Sequence, residues 1–164
     1  MKHKILITIL ALTTIANVFA ADTSNWEKGP NKSWMLTVED ALVKAKKTKK
    51  KVYVLRTGSD WCGFCIRLKK EVFDHKSFQS YARRNLILVY LDSPRKKQLP
   101  PEQEQYNKET AAKYKFGGGV PSAILLDSDG SVIAKIGGYN SKDGVKGYIQ
   151  RIKTALSENT KKDQ

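Results

Sequence analysis

Residues 51–66 read KVYVLRTGSDWCGFCI, and two cysteines close the stretch with a glycine and a phenylalanine between them. Lys51–Thr57 is rich in β-branched, aromatic and aliphatic side chains, which predicts a strand, and Gly58-Ser59 bounds it. Beyond that turn, Cys65, Leu68, Val72 and Phe73 fall on one side of a helix. Cys62 therefore stands where a helix begins, one turn ahead of Cys65. The chain holds no other cysteine, so the chemistry of this pair bounds what it can do.

A staple, a metal site and a redox couple compete for the pair. A disulfide across so short a loop removes little of the unfolded chain's entropy. Zinc takes four ligands in structural sites and three in catalytic ones. Past residue 20 the chain offers two thiolates and one histidine, His75, so a cage would have to borrow carboxylates. His75, beside Asp74 near a helix junction, reads as a surface or capping residue. Covalent haem attachment needs a histidine directly after the second cysteine, and Ile66 stands there.

Redox chemistry fits the placement. Free N–H groups and the dipole at a helix start favour thiolate over thiol, and thiolate is the attacking species. Cys62 is then the nucleophile. Cys65, on the buried side, is the resolving thiol that closes a Cys62–Cys65 disulfide. Gly63 is read as letting the backbone turn tightly, Phe64 as an apolar lip and Trp61 as a shield for the sulfurs. Arg56 is read as facing the site, and with Arg67 as a cation that favours thiolate. No metal or cofactor is required by this chemistry.

Working outward, residues 21–34 are polar around Gly29-Pro30 and read as irregular. Thr37 caps a helix with Glu39 and Asp40 in its first turn and Val38, Ala41, Leu42 and Ala45 on one face. Phe78 and Tyr81 belong to a second short helix after Asp74. Leu86–Leu91 is a continuous apolar run, which suggests a strand covered on both faces. A loop (92–101) and a polar helix (102–115) follow, and Gly117-Gly118-Gly119 breaks that helix. Strand-like runs 122–127 and 131–136 flank Ser128-Asp129-Gly130, a hairpin signature. Val145, Tyr148, Ile149, Ile152 and Leu156 mark a last helix, capped by Ser141, and residues 158–164 form a fraying tail. The order predicts an α/β chain. It has one mixed β-sheet with helices on both faces, two early strands parallel and the closing hairpin antiparallel.

Residues 1–20 stand apart. Lys2 and Lys4 precede an apolar run from Ile5 to Ile15, and Val18-Phe19-Ala20 supplies small residues before a cleavage site. That layout predicts a signal peptide cleaved after about Ala20, with export to the periplasm or beyond. The run is shorter than a spanning helix needs, so stable membrane insertion is not expected. The chain carries a net charge of +14. Much of it lies in scattered lysine runs that read as solvated surface, which favours acidic partners or lipid headgroups over nucleic acid.

WCGFC after a β-run, with Gly119-Val-Pro-Ser122 ahead of a hairpin, resembles the thioredoxin superfamily over roughly residues 35–157. GSDWCGFC followed by RLKKEVF is similar to exported thioredoxin-like proteins and to the thioredoxin-like domain of bacterial membrane disulfide reductases. The resemblance implies a thioredoxin-like fold and a thiol–disulfide oxidoreductase that reduces or isomerises protein disulfides. Its partners would be exported proteins carrying disulfides or thiols, and a membrane electron donor. It also implies a cis Val120–Pro121 bond whose backbone pairs with substrate, beside Trp61, Gly63 and Phe64. A non-catalytic interaction module and a copper or zinc carrier are the alternatives. The chain departs from the family pattern in three ways: no acid in Val54–Thr57, Gly-Phe between the cysteines, and a longer insertion at 92–108. These bear on the direction of electron flow.

Overall fold

The computed structural model describes residues 21–160; residues 1–20, read above as a signal peptide, and 161–164 lie outside them. Its elements are β1 (Trp34–Met35), α1 (Val38–Thr48), β2 (Lys51–Thr57), α2 (Gly63–Leu68), α3 (Lys76–Asn85), β3 (Leu86–Asp92), α4 (Pro101–Lys113), β4 (Ser122–Leu126), β5 (Val132–Gly137) and α5 (Gly144–Thr160). They build one five-stranded sheet in the order β1-β3-β2-β4-β5. β1, β3 and β2 are mutually parallel, β4 runs antiparallel to β2, and β5 runs antiparallel to β4.

Period-two alternation divides the core. Tyr53, Leu55, Leu86, Leu88, Tyr90, Ala123 and Leu125 point to one face, where Leu68, Phe78, Tyr148 and Ile152 from α2, α3 and α5, with Phe73 from the turn after α2, cover them. Val52, Val54, Ile87, Val89, Leu91, Ile124 and Leu126 point to the other, under Val38, Ala41 and Ala45 of α1. Every residue of β3 is buried, as its unbroken apolar run requires. Such side chains each contribute about 1.5–3 kcal/mol on burial.

Helix ends follow local chemistry. The Thr37 side chain caps α1 through the N–H of Asp40. α2 runs into a π-helical turn at Lys69–Phe73, and His75 then caps α3, its Nδ1 accepting from the Ser77 N–H. α4 stops at a Schellman motif with Lys115 left-handed (φ 50°), in which Phe116 N–H reaches the Ala111 carbonyl. The stop thus precedes Gly117–Gly119, which the sequence reading held responsible.

Two further expectations need correction. Residues 21–34 are not wholly irregular, because Trp34 opens β1 and pairs with Leu88. Ser141 is not the cap of α5. It starts a single 3-10 turn capped by Asn140, and α5 begins at Gly144 and runs to Thr160, past the boundary drawn at 157.

One polar pair lies deep in the α5 side of the core. The Tyr53 and Tyr148 hydroxyls meet at 2.6 Å, both side chains fully buried. Tyr148→Phe should leave the Tyr53 hydroxyl unpaired and cost about 1–3 kcal/mol in urea unfolding. The double change to Phe should recover most of that loss; a double variant as unstable as the sum of the singles would show the pair to be inert.

Candidate redox site

β2 ends at Thr57, and the chain needs only Gly58–Trp61 to reach the first turn of α2. The Cys62 N–H donates back to the Gly58 carbonyl at 3.0 Å, which closes that turn. Cys62 is the N-cap of α2: its carbonyl accepts from Cys65 N–H and Ile66 N–H, and its Sγ accepts from Cys65 N–H at 3.2 Å. An N–H aimed at a sulfur stabilises the anion over the thiol. Cys62 and Cys65 are joined as a disulfide, with Cα atoms 5.2 Å apart.

The two sulfurs face different surroundings. Cys62 Sγ lies 3.5 Å from the Val120 carbonyl, and the Val120–Pro121 bond is cis. Cys65, 4 % exposed, borders a cavity of about 20 Å³ with Leu55, Thr57, Ser59, Phe73 and Tyr90. Burial pushes the Tyr90 hydroxyl well above its ordinary range, with nearby Asp92 adding to the shift. Phe64 is 61 % exposed and Ile66 46 %, so two apolar side chains rim the cysteines where one was anticipated.

Gly63 has no positive φ, and a Cβ there would meet nothing within 4 Å. It is not the residue that permits the turn. Gly58 is the constrained one, because a Cβ there would come within 2.5 Å of the Trp61 ring. Arg56 does not face the cysteines. Its neighbours Leu55 and Thr57 point toward Cys65, while Arg56 lies over the α4 side and donates to the Gly117 carbonyl at 2.9 Å. Arg67 pairs with Glu71 at 3.2 Å, on the exposed side of α2. Among the described residues no group of three metal-ligating side chains comes together.

Asp60 organises the loop after β3, and nothing in the sequence reading marked it. Its carboxylate accepts from the N–H groups of Arg95, Lys96 and Lys97 at 2.9, 2.8 and 3.0 Å. Partial desolvation pushes this carboxyl up, but the three N–H bonds together outweigh it and hold its pKa below the ordinary 3.8. Trp61 completes the clasp. Its indole N–H donates to the Ser93 carbonyl at 2.7 Å, and the Arg95 guanidinium lies 3.7 Å from the ring centre. Buried Asp92 ties in from below, accepting from Ser59 N–H and Oγ at 2.9 and 2.5 Å. The insertion at 92–108 is therefore fastened to the cysteine turn.

The chain matches the family model of a thioredoxin-like domain over residues 38–153. This chain belongs to the thioredoxin-like family. It is 33 % identical over 117 residues to the disulfide bond reductase DsbH of Chlamydia pneumoniae, covering 71 % of this chain and 69 % of that one. The thioredoxin-related protein DsbJ of the same organism is 26 % identical over 141 residues, 86 % of this chain but 39 % of the relative, so this chain spans about two fifths of that protein. A solved DsbH oxidoreductase aligns with a TM-score of 0.69 at 31 % identity, over 80 % of this chain and 91 % of that structure.

The clasp should be separable from the fold. Asp60→Ala is expected to speed amide exchange at residues 95–97 by about tenfold or more while leaving the core strands protected. Because the folded pKa is depressed, the wild-type clasp holds above the ordinary 3.8 and loosens as pH falls through the folded value. Equal protection of 95–97 in both proteins would remove Asp60 from this role.

Proposed function

We propose that this chain is an exported thiol–disulfide oxidoreductase that reduces or isomerises disulfides of other exported proteins, with Cys62 as nucleophile and Cys65 as resolving thiol. The observation that carries it is the seating of Cys62: at the start of α2, under the Cys65 N–H, and beside the Val120 carbonyl at the mouth. Cys65 instead backs onto the core through Leu55 and Phe73. Membership of the thioredoxin-like family and a reductase relative support the reaction type. The charge and hydrophobicity layout of residues 1–20 supports export.

The exchange balances in two steps. Cys62 thiolate attacks one sulfur of a substrate disulfide; that S–S bond breaks, and the departing thiolate takes a proton from solvent. Cys65, deprotonated, then attacks Cys62 Sγ in the mixed disulfide. The second substrate thiolate leaves, the Cys62–Cys65 disulfide forms, and two electrons have passed to the substrate. A dithiol donor at the membrane would return the pair to the reduced state. Isomerisation stops after the first step, when a substrate thiol rather than Cys65 resolves the mixed disulfide.

Substrate handling falls to the rim. Phe64 and Ile66 offer apolar contact, and the Val120 backbone lies where an extended peptide can pair with it. Trp61 is held by Ser93 and Arg95 as one wall, and Gly63 leaves the approach to Cys62 uncrowded.

Cys62→Ser should abolish reduction of insulin by the dithiothreitol-charged protein. Cys65→Ser should accumulate mixed disulfides that dithiothreitol releases, visible on non-reducing gels. Trapping by Cys62→Ser and not by Cys65→Ser would reverse the two roles. Activity surviving in Cys62→Ser would remove the reading altogether.

A further inference from the structure

Beyond the cysteine mouth, a cleft of about 520 Å³ opens between the loop after β3 and α4. Its walls carry Arg56, Arg95, Lys97 and Lys108 against two acids, Asp92 and Glu104. Asp92 already accepts from Ser59, and Lys97 is drawn toward Glu27 and Asp92 at 3.2 and 3.5 Å. Lys108 has no ion-pair partner among the described residues. Arg56 spends one of its five N–H donors on Gly117. Arg95 stacks on Trp61 by its face, an arrangement that keeps guanidinium edges available for hydrogen bonds.

A second observation points to what would sit there. Asn107 is 4 % exposed and lines the same cleft. Its Nδ2 donates to the Asp92 carbonyl at 2.8 Å, which fixes the amide's orientation and leaves Oδ1 as an acceptor. That buried Oδ1 has no hydrogen-bond partner. Buried acceptors are ordinarily satisfied, so an occupant that carries a donor as well as negative charge suits a cleft lined by this residue and these cations. Inorganic sulfate or fully ionised phosphate brings only acceptors, whereas a peptide brings backbone N–H groups and side-chain carboxylates.

The cleft also communicates with the redox mouth. Phe116 lines both the cleft and the groove that contains Val120 and Pro121, and Val120 abuts Cys62 Sγ. A polypeptide paired along Val120 can continue across Phe116 into the basic cleft. We propose that this cleft is a subsite for an acidic segment of the polypeptide whose disulfide is exchanged, a proposal that rests on the oxidoreductase reading above and gives its substrates a charge preference.

The test uses two synthetic peptides that differ only in a run of three Asp or three Asn beside the reactive position. With serine in place of cysteine, calorimetric titration onto the oxidised protein at 50 mM salt should show the Asp peptide binding about tenfold more tightly. That preference should shrink in Lys108→Gln, vanish or invert in Lys108→Glu, and weaken in wild type at 500 mM salt. Equal binding of the two peptides, or a preference untouched by Lys108→Glu, overturns the proposal. Disulfide versions of the same peptides supply the second arm. If both are reduced at equal kcat/KM, the cleft proposal fails and the redox reading stands. If the Asp peptide binds selectively but neither is reduced, the redox reading fails.

Discussion

The register between β2 and β4 is the constraint from which the site follows. β2 has no free edge, being paired along its length with β3 on one side and with β4 on the other. Because β4 runs antiparallel and Ser122 sits opposite Arg56, the residues just before β4 must lie beside those just after β2. That brings the Val120 carbonyl against Cys62 Sγ without any contact designed between the two loops alone. A slip of one residue would also turn Leu125 and Tyr53 out of one core layer and Ile124 and Val54 out of the other, so burial on both faces holds the register.

Around that fixed point the chain adds a polar fastening. Asp60 and Trp61, the two residues directly before Cys62, are each occupied by the loop after β3. The N–H groups of three successive residues cradling one carboxylate are an anion nest built from backbone, with Asp60 as its anion. The loop thereby gains a defined path, and the cleft between it and α4 gains a rigid wall. Rotor freedom at Trp61 is lost in the process, because Ser93 holds its indole N–H and Arg95 its ring face.

How much of this was legible depended on whether the signal was periodic. The unbroken run of β3 and the amphipathic faces of α1 and α5 announced the layers, and CxxC at a strand-to-helix turn announced the chemistry. β1 was missed because two residues cannot show a period; Trp34 is a strand only by virtue of its partner in β3. Asp60 was missed because its partners are backbone groups about 35 residues away, which leave no trace in side-chain pattern. Arg56 was misassigned although the signal existed: it shares parity with Val52 and Val54, so alternation alone puts it on the face away from Cys65. Gly63 was credited with a turn that Gly58 makes, since spacing between cysteines says nothing about which glycine meets a ring.

The central claim is that the fold arms Cys62 as a thiolate while leaving its partner to resolve. Absorbance near 240 nm against pH, on the reduced protein and on Cys65→Ser, reads this directly. The Cys65 N–H and the start of α2 should bring Cys62 down from a free cysteine's value of roughly 8.5 to about 7, the range of thioredoxin-type reductants. The facing Val120 carbonyl should keep it from falling as far as the strongest oxidants, about 3.5. A Cys62 that titrates at or above the free value would contradict the account.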